Sequence, residues 1–228
     1  MAADLQGRAL WDYYTRGRNA LYMHTSYAPR HKMPLEAFFK DPESDPLEKT
    51  ALDACRGSVL DVGAGAGRFA LALQLRNREV SALEISPLAC QLMRQRGVRQ
   101  VIQGSFWEEA GQFDTLLLMM NGLGLAGTLA DLPRFFTQLK RLLKPGGQVI
   151  LDSSDLEYLY DADNPKPSQG YYGEMRYCYE YRGTRGTPFH WLFLDYYTLT
   201  AEANKAGFIT DLLYGPANNQ FLVRLRLY

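Results

Sequence analysis

Val59-Leu60-Asp61-Val62-Gly63-Ala64-Gly65-Ala66-Gly67 is the stretch that decides the fold of this chain. With Ser58 its first residues read as a buried strand, and Phe69, Leu71 and Leu75 set a helical spacing directly behind the glycines. Glycine at such a bend lets the backbone turn sharply and approach a ligand that any Cβ would push away. The helix that follows offers unpaired N–H groups to a carboxylate or phosphate. A dinucleotide-binding loop wants Gly-x-Gly-x-x-Gly, and here Arg68 stands where the third glycine belongs.

Downstream, strands and helices alternate. Glu79 to Glu84 reads as a second strand. Ser86 and Pro87 cap and open a helix carrying Leu88, Leu92 and Met93 on one face, which Gly97 ends. Arg99 to Gln103 makes a third strand. Phe113 to Met120 makes a fourth, almost wholly apolar, as expected of a parallel strand covered on both faces. Leu129, Leu132, Phe135, Phe136, Leu139, Leu142 and Leu143 then follow helical spacing, and Lys144 to Gly147 turns the chain into a fifth strand, Gln148 to Asp152. This alternation predicts an α/β fold with a doubly wound, mostly parallel sheet. Two closing strands, around Phe208 to Leu213 and Phe221 to Leu227, would add antiparallel at the far end after a helix near Thr200 to Ala206, giving seven strands.

Two regions stand outside the alternation. Met175 to Tyr181 and Phe189 to Asp195 are aromatic-rich runs flanking Arg182 to Thr187, which reads as an antiparallel hairpin. The first 50 or so residues read as short helices broken by prolines, one of them capped by Asp45, opened by Pro46, with Glu48 reaching back to the cap, and stopped by Gly57. The expected layout is a single domain: a helical lid over residues 1–57, a cofactor-binding core over 58–152, an insertion with the hairpin over 153–197, and a closing helix with two strands over 198–228.

The 228 residues suit one domain, and 25 basic against 25 acidic side chains leave no net charge. Duplex nucleic acid would call for a basic excess or stripe, so it is not expected as a partner. Cys55, Cys90 and Cys178 are few and far apart, which suits a reducing cytoplasm better than a disulfide framework. The N-terminus lacks the apolar block of a secretory signal, no stretch has the roughly 18 apolar residues of a membrane helix, and no cluster suggests a metal. Oligomeric state does not follow from the sequence.

Glu84, at the end of the second strand, can accept hydrogen bonds from both hydroxyls of a ribose, which fits any nucleoside cofactor. Taken together, Val59 to Gly67, Glu84-Ile85-Ser86-Pro87, Phe113 to Asn121 and Leu143 to Gly147 resemble the class I S-adenosylmethionine-dependent methyltransferases, across residues 58–152. That resemblance implies a Rossmann-like methyltransferase fold with S-adenosylmethionine as cofactor. It places the methionine moiety on the loop of Gly63, Ala64, Gly65 and Gly67 with Asp61 near its ammonium, the ribose on Glu84 and the adenine on Ile85. Gly104, Ser105 and Phe106 would flank the adenine. The family often carries an acidic residue at the place of Ser105, and a hydroxyl accepts more weakly than a carboxylate.

The acceptor side falls beyond the carboxyl ends of the fourth and fifth strands, at Asn121 and Asp152. Asn121 either orients an acceptor, binds cofactor through its backbone, or makes a loop turn beside Gly122. Asp152 either steers a cationic acceptor, serves as base, or caps the following segment. Family members that methylate exocyclic base amines carry Asn/Asp-Pro-Pro-Tyr here; Asn121-Gly122-Leu123-Gly124 departs from it, which argues against that substrate class, and the neutral charge and compact size favour a small-molecule organic acceptor. None of His24, His31 and His190 belongs to a recognisable triad. Two rival readings stand: a non-catalytic S-adenosylmethionine-binding or partner-binding module, and a nicotinamide-dependent oxidoreductase, which Arg68 disfavours.

Overall fold

A computed structural model describes residues 4–18, 20–28, 30–217 and 219–228 of the protein. Its elements, in chain order, are α1 (Leu5–Arg16), β1 (Leu21–Thr25), β2 (His31–Lys32), α2 (Pro46–Ala54), β3 (Val59–Val62), α3 (Arg68–Leu75), β4 (Val80–Glu84), α4 (Pro87–Arg96), β5 (Val101–Gln103) and β6 (Phe113–Leu118). Then come α5 (Leu132–Leu142), β7 (Leu143–Ser154), β8 (Glu174–Tyr181), β9 (Thr184–Arg185), β10 (Phe189–Leu192), α6 (Tyr196–Lys205), β11 (Phe208–Ala217) and β12 (Gln220–Leu227).

The main sheet has seven strands in the order β11-β12-β7-β6-β3-β4-β5. The pairs β7/β6, β6/β3, β3/β4 and β4/β5 are parallel, whereas β12 runs antiparallel to both β7 and β11. The direction of winding reverses between β3 and β6, the place where open α/β sheets bind ligands. Alternate residues face opposite layers. Leu116 and Leu118 of β6 and Val149 and Leu151 of β7 join α5 and α6 in one core, and Leu117 and Ile150 join α2, α3 and α4 in the other.

The turns follow residue chemistry. Gly63 and Gly67 both hold left-handed backbone, at φ 70° and 79°. A Cβ on Gly67 would also lie 2.8 Å from Met93 and Val98, so the absence of a side chain lets α3 start against α4. Ser86 accepts from the Ala89 N–H to cap α4, which Gly97 closes at φ 95°. At α2, Asp45 takes the N–H groups of Leu47 and Glu48. Glu48 does not return to the cap as its spacing predicted, because its carboxylate is drawn into a bidentate pair with Arg68.

The N-terminal segment differs from an all-helical reading, and the hairpin is part of something larger. A second sheet runs β10-β8-β1-β2, with β9 also pairing β8, every pair antiparallel. β1 therefore lies between β2 and β8, and a bond such as His24 to Glu180 joins positions 156 apart. Leu21 to Thr25 is too short to announce itself as a strand, and the partner that makes it one is remote. α1 is tied to both layers. Asp4 accepts from Ser86 Oγ at 2.7 Å, at the start of α4, while buried Asp12 accepts from Tyr181 Oη and Arg182 of the second sheet.

Candidate active site

The carboxyl ends of β3, β4 and β6 open into a cavity of about 450 Å³, and the second sheet lies across it. That volume is in the range of small-ligand and cofactor sites. Asp61, Gly63, Ala64, Gly65, Glu84, Ile85, Gly104, Ser105, Phe106 and Asn121 all line it, so ten positions singled out in the sequence share one space. Gly67 and Asp152 are not among the lining residues. Gly67 serves the start of α3 instead.

Each lining group is held by identifiable neighbours. Glu84 accepts from the N–H groups of Gly65 and Ser86, both at 2.9 Å, which clamps the glycine turn to the end of β4. The carboxylate keeps acceptor capacity for hydroxyl donors. Burial raises the Glu84 carboxyl above its ordinary value, against the pull of those N–H bonds. Asp61 is buried at the end of β3 and accepts from the Ala70 N–H at 3.2 Å. Burial pushes its carboxyl up to about 7, although Ala70 and the nearby Arg68 draw it down. Ile85 is largely exposed and offers an apolar face at the rim, and Ser105 Oγ accepts from the Trp107 N–H at 3.2 Å.

Asn121 and its neighbour Met120 both carry left-handed backbone, at φ 58° and 63°. Two consecutive side-chain-bearing residues in that region cost on the order of 1–3 kcal/mol each and persist only where surroundings hold them. Asp152 does the holding. It is 1% exposed, accepts from Asn121 N–H at 2.9 Å and takes Gln220 Nε2 on its other oxygen at 3.1 Å. Burial lifts its carboxyl to about 6, opposed by these bonds. Ser154 donates to Asn121 Oδ1 at 2.8 Å, and the Asn121 side-chain nitrogen has no bond to another described residue.

Two sets of residues escaped the sequence reading. Arg68 lines the cavity, pairs with Glu48 and keeps a buried Nε without a hydrogen-bond partner, which a ligand carboxylate would satisfy. Its sequence position spoke only against dinucleotides. The second set is the inner face of the second sheet: Met23 of β1, Tyr177 and Tyr179 of β8, Phe189 and Trp191 of β10. Period-two alternation in both aromatic runs was the available clue. The segment from Asp155 to Tyr172 adds nothing to the lining. Among the described residues no group of three His, Cys, Asp or Glu could hold a metal, and no helix is long and apolar enough to cross a membrane.

A glycine turn at the sheet's reversal point, the buried carboxylates of Asp61 and Glu84 and an arginine with an unpartnered Nε thus share one cavity. The comparisons with known proteins show the class. A family model described as a methyltransferase domain matches residues 60–151. The crystal structure of an S-adenosylmethionine-dependent methyltransferase from Bacteroides fragilis, in complex with S-adenosylhomocysteine, is 40% identical with a TM-score of 0.91, covering 98% of this chain and 94% of that one. The S-adenosylmethionine-bound amino pentose methyltransferase CalS10 from Micromonospora echinaspora shares the fold at 17% identity and a TM-score of 0.57, covering 87% of this chain and 98% of its own. The CcbJ methyltransferase from Streptomyces caelestis does so at 15% and 0.61, covering 83% and 99%. No curated protein matched in the corresponding search.

The chain belongs to the S-adenosylmethionine-dependent methyltransferases. It is an enzyme with a Rossmann-like fold, and its cofactor is S-adenosylmethionine.

Proposed function

We propose that the enzyme methylates a small molecule held between the cofactor and the inner face of the second sheet, by in-line displacement. The observation that carries this reading is the shared cavity, which Asp61, Arg68 and Glu84 line together with the aromatic strands. A cavity of about 450 Å³ suits a small acceptor better than a nucleic acid, in keeping with a chain of zero net charge.

Bound cofactor supplies a methyl group already activated on a sulfonium. The residues then have binding and alignment to do. Asp61 would hold the ammonium and Arg68 the carboxylate of the methionine moiety. Glu84 would accept from the ribose hydroxyls. Ile85, Gly104 and Phe106 would flank the adenine, with Ser105 accepting weakly from its amino group. Asn121 would aim the acceptor through its side-chain amide. Asp152 acts one step back, as a positioning residue: its two oxygens are occupied in fixing the turn that presents Asn121.

Titration calorimetry with S-adenosylmethionine, S-adenosylhomocysteine and NADH tests the cofactor assignments. The first two should bind the wild type and NADH should not. Glu84→Gln, which removes the charge and keeps the shape, should weaken both by roughly tenfold or more, about the worth of a charge-assisted pair. Binding of NADH in preference to the sulfonium compound would sink the reading.

A further inference from the structure

The wall facing the glycine turn is built from rings set at angles to each other. Phe189 meets Tyr177 edge-on at 5.9 Å and Trp191 edge-on at 6.2 Å, while Tyr179 lies 5.1 Å from Phe189 at a tilt of 50°. Trp191 is seated on bare backbone. A Cβ added to Gly124 would come within 2.0 Å of its indole Nε1, so the glycine after the β6 turn sets how deep the indole lies.

Charge and base chemistry narrow what such a space can take. Among the described lining residues the charged side chains are Asp61, Glu84 and Arg68, and Arg68 is already paired with Glu48. With the Arg68 Nε taken by the cofactor's carboxylate, no further cation among the described residues lines the space to pair with a carboxylate or phosphate on the acceptor. No histidine lines the cavity either. His190 is exposed on the outer side of β10, and His24 is bound to Glu180.

We infer that the enzyme's acceptor is a primary or secondary amine carried on a ring-bearing apolar body, bound by Tyr177, Tyr179, Phe189 and Trp191. The inference rests on the cofactor reading above and deepens it. A neutral amine needs no base to attack. Its lone pair forms the bond to the methyl carbon while the carbon–sulfur pair passes to sulfur, leaving a neutral thioether; the nitrogen becomes an ammonium and then loses one proton to water. Positive charge thus moves from sulfur to nitrogen, and ring faces stabilise a cation at that position. An alcohol making the same attack would become an oxonium unless a base removed its proton. A thiolate would lose charge and gain nothing from the rings.

The test uses four matched probes: 2-phenylethylamine, 2-phenylethanol, 2-phenylethanethiol and 3-phenylpropionate. Their methylation by the S-adenosylmethionine-loaded enzyme is followed as S-adenosylhomocysteine release. Their binding to the S-adenosylhomocysteine-loaded enzyme is followed separately by tryptophan fluorescence and calorimetry. The amine should turn over at least tenfold faster than any other probe. Trp191→Leu, which keeps apolar bulk and removes the π face, should weaken amine binding at least tenfold, 2-phenylethanol binding less than threefold, and S-adenosylhomocysteine binding less than threefold. Gly124→Ala, which displaces the indole without deleting it, should shift in the same direction. Preferred methylation of the alcohol, thiol or acid, methylation of none of the four, or equal losses for amine and alcohol in both variants would overturn the proposal. In each case intact S-adenosylhomocysteine binding would leave the cofactor reading standing, whereas loss of that binding in the wild type would remove both.

Discussion

Asp61 is deeply buried and lines the cavity, and in the proposed reading its protonation couples to the cofactor. With its carboxyl pushed up to about 7, the ligand-free protein holds it protonated at lower pH, and only the ionised form pairs with an ammonium group. The sign follows directly. Affinity for S-adenosylhomocysteine should be level above about pH 7.5 and fall by about tenfold per pH unit below 7. Burial raises the Glu84 carboxyl as well. Calorimetry from pH 5.5 to 8 on wild type and Asp61→Asn checks this. The variant should bind more weakly at pH 8 and show a shallower dependence; an unchanged slope would dissociate Asp61 from the ammonium. Arg68 shows the converse side of residue-scale reasoning. Its sequence position reveals only a helix start, because its value to the site comes from Glu48 on another helix and from an Nε left unpaired in the interior.

Elements differ in how much of them local sequence determines. β3, α3, β4 and α4 carry their own boundaries as strand periodicity, glycines and a Ser86–Pro87 start, and all four fall where those residues put them. β1 carries no such boundary: it is a strand because β8 and β2 flank it. β8 was legible as part of a hairpin, since its turn is close by, yet its second neighbour was not. The glycine turn and Glu84 were readable for the same reason that β3 was; the aromatic hairpin was readable as a hairpin, but its place across the cavity depends on β1 and was not. The joint between α1 and the second sheet offers a measurement at this scale. Asp12 is 3% exposed and serves Tyr181, Arg182 and Arg16 together. Asp12→Ala strands a buried phenol, so urea unfolding should show a loss of about 2 kcal/mol. A loss below about 0.5 kcal/mol would mean that α1 is held by its apolar face alone.

The molecule as a whole divides into a nucleotide-binding sheet and a cover, and the chain visits the cover twice. Residues 1–30 supply α1 and β1 but no strand of the seven-stranded sheet. Their deletion should abolish methyl transfer while a cooperative melt and an α/β circular dichroism spectrum persist; an active truncated enzyme would show that the cover is dispensable. The cover's make-up also sets an order of assembly. Strand β1 leaves the ribosome long before β8 exists, and pairs 156 positions apart close late because loop entropy opposes them. A nascent chain can thus complete its glycine turn and Glu84 clamp while Leu21 to Thr25, with only the short β2 beside it, still lacks β8 along its other edge. Such an open β edge invites adhesion to other unfinished chains until the last quarter of the polypeptide arrives to zip it shut.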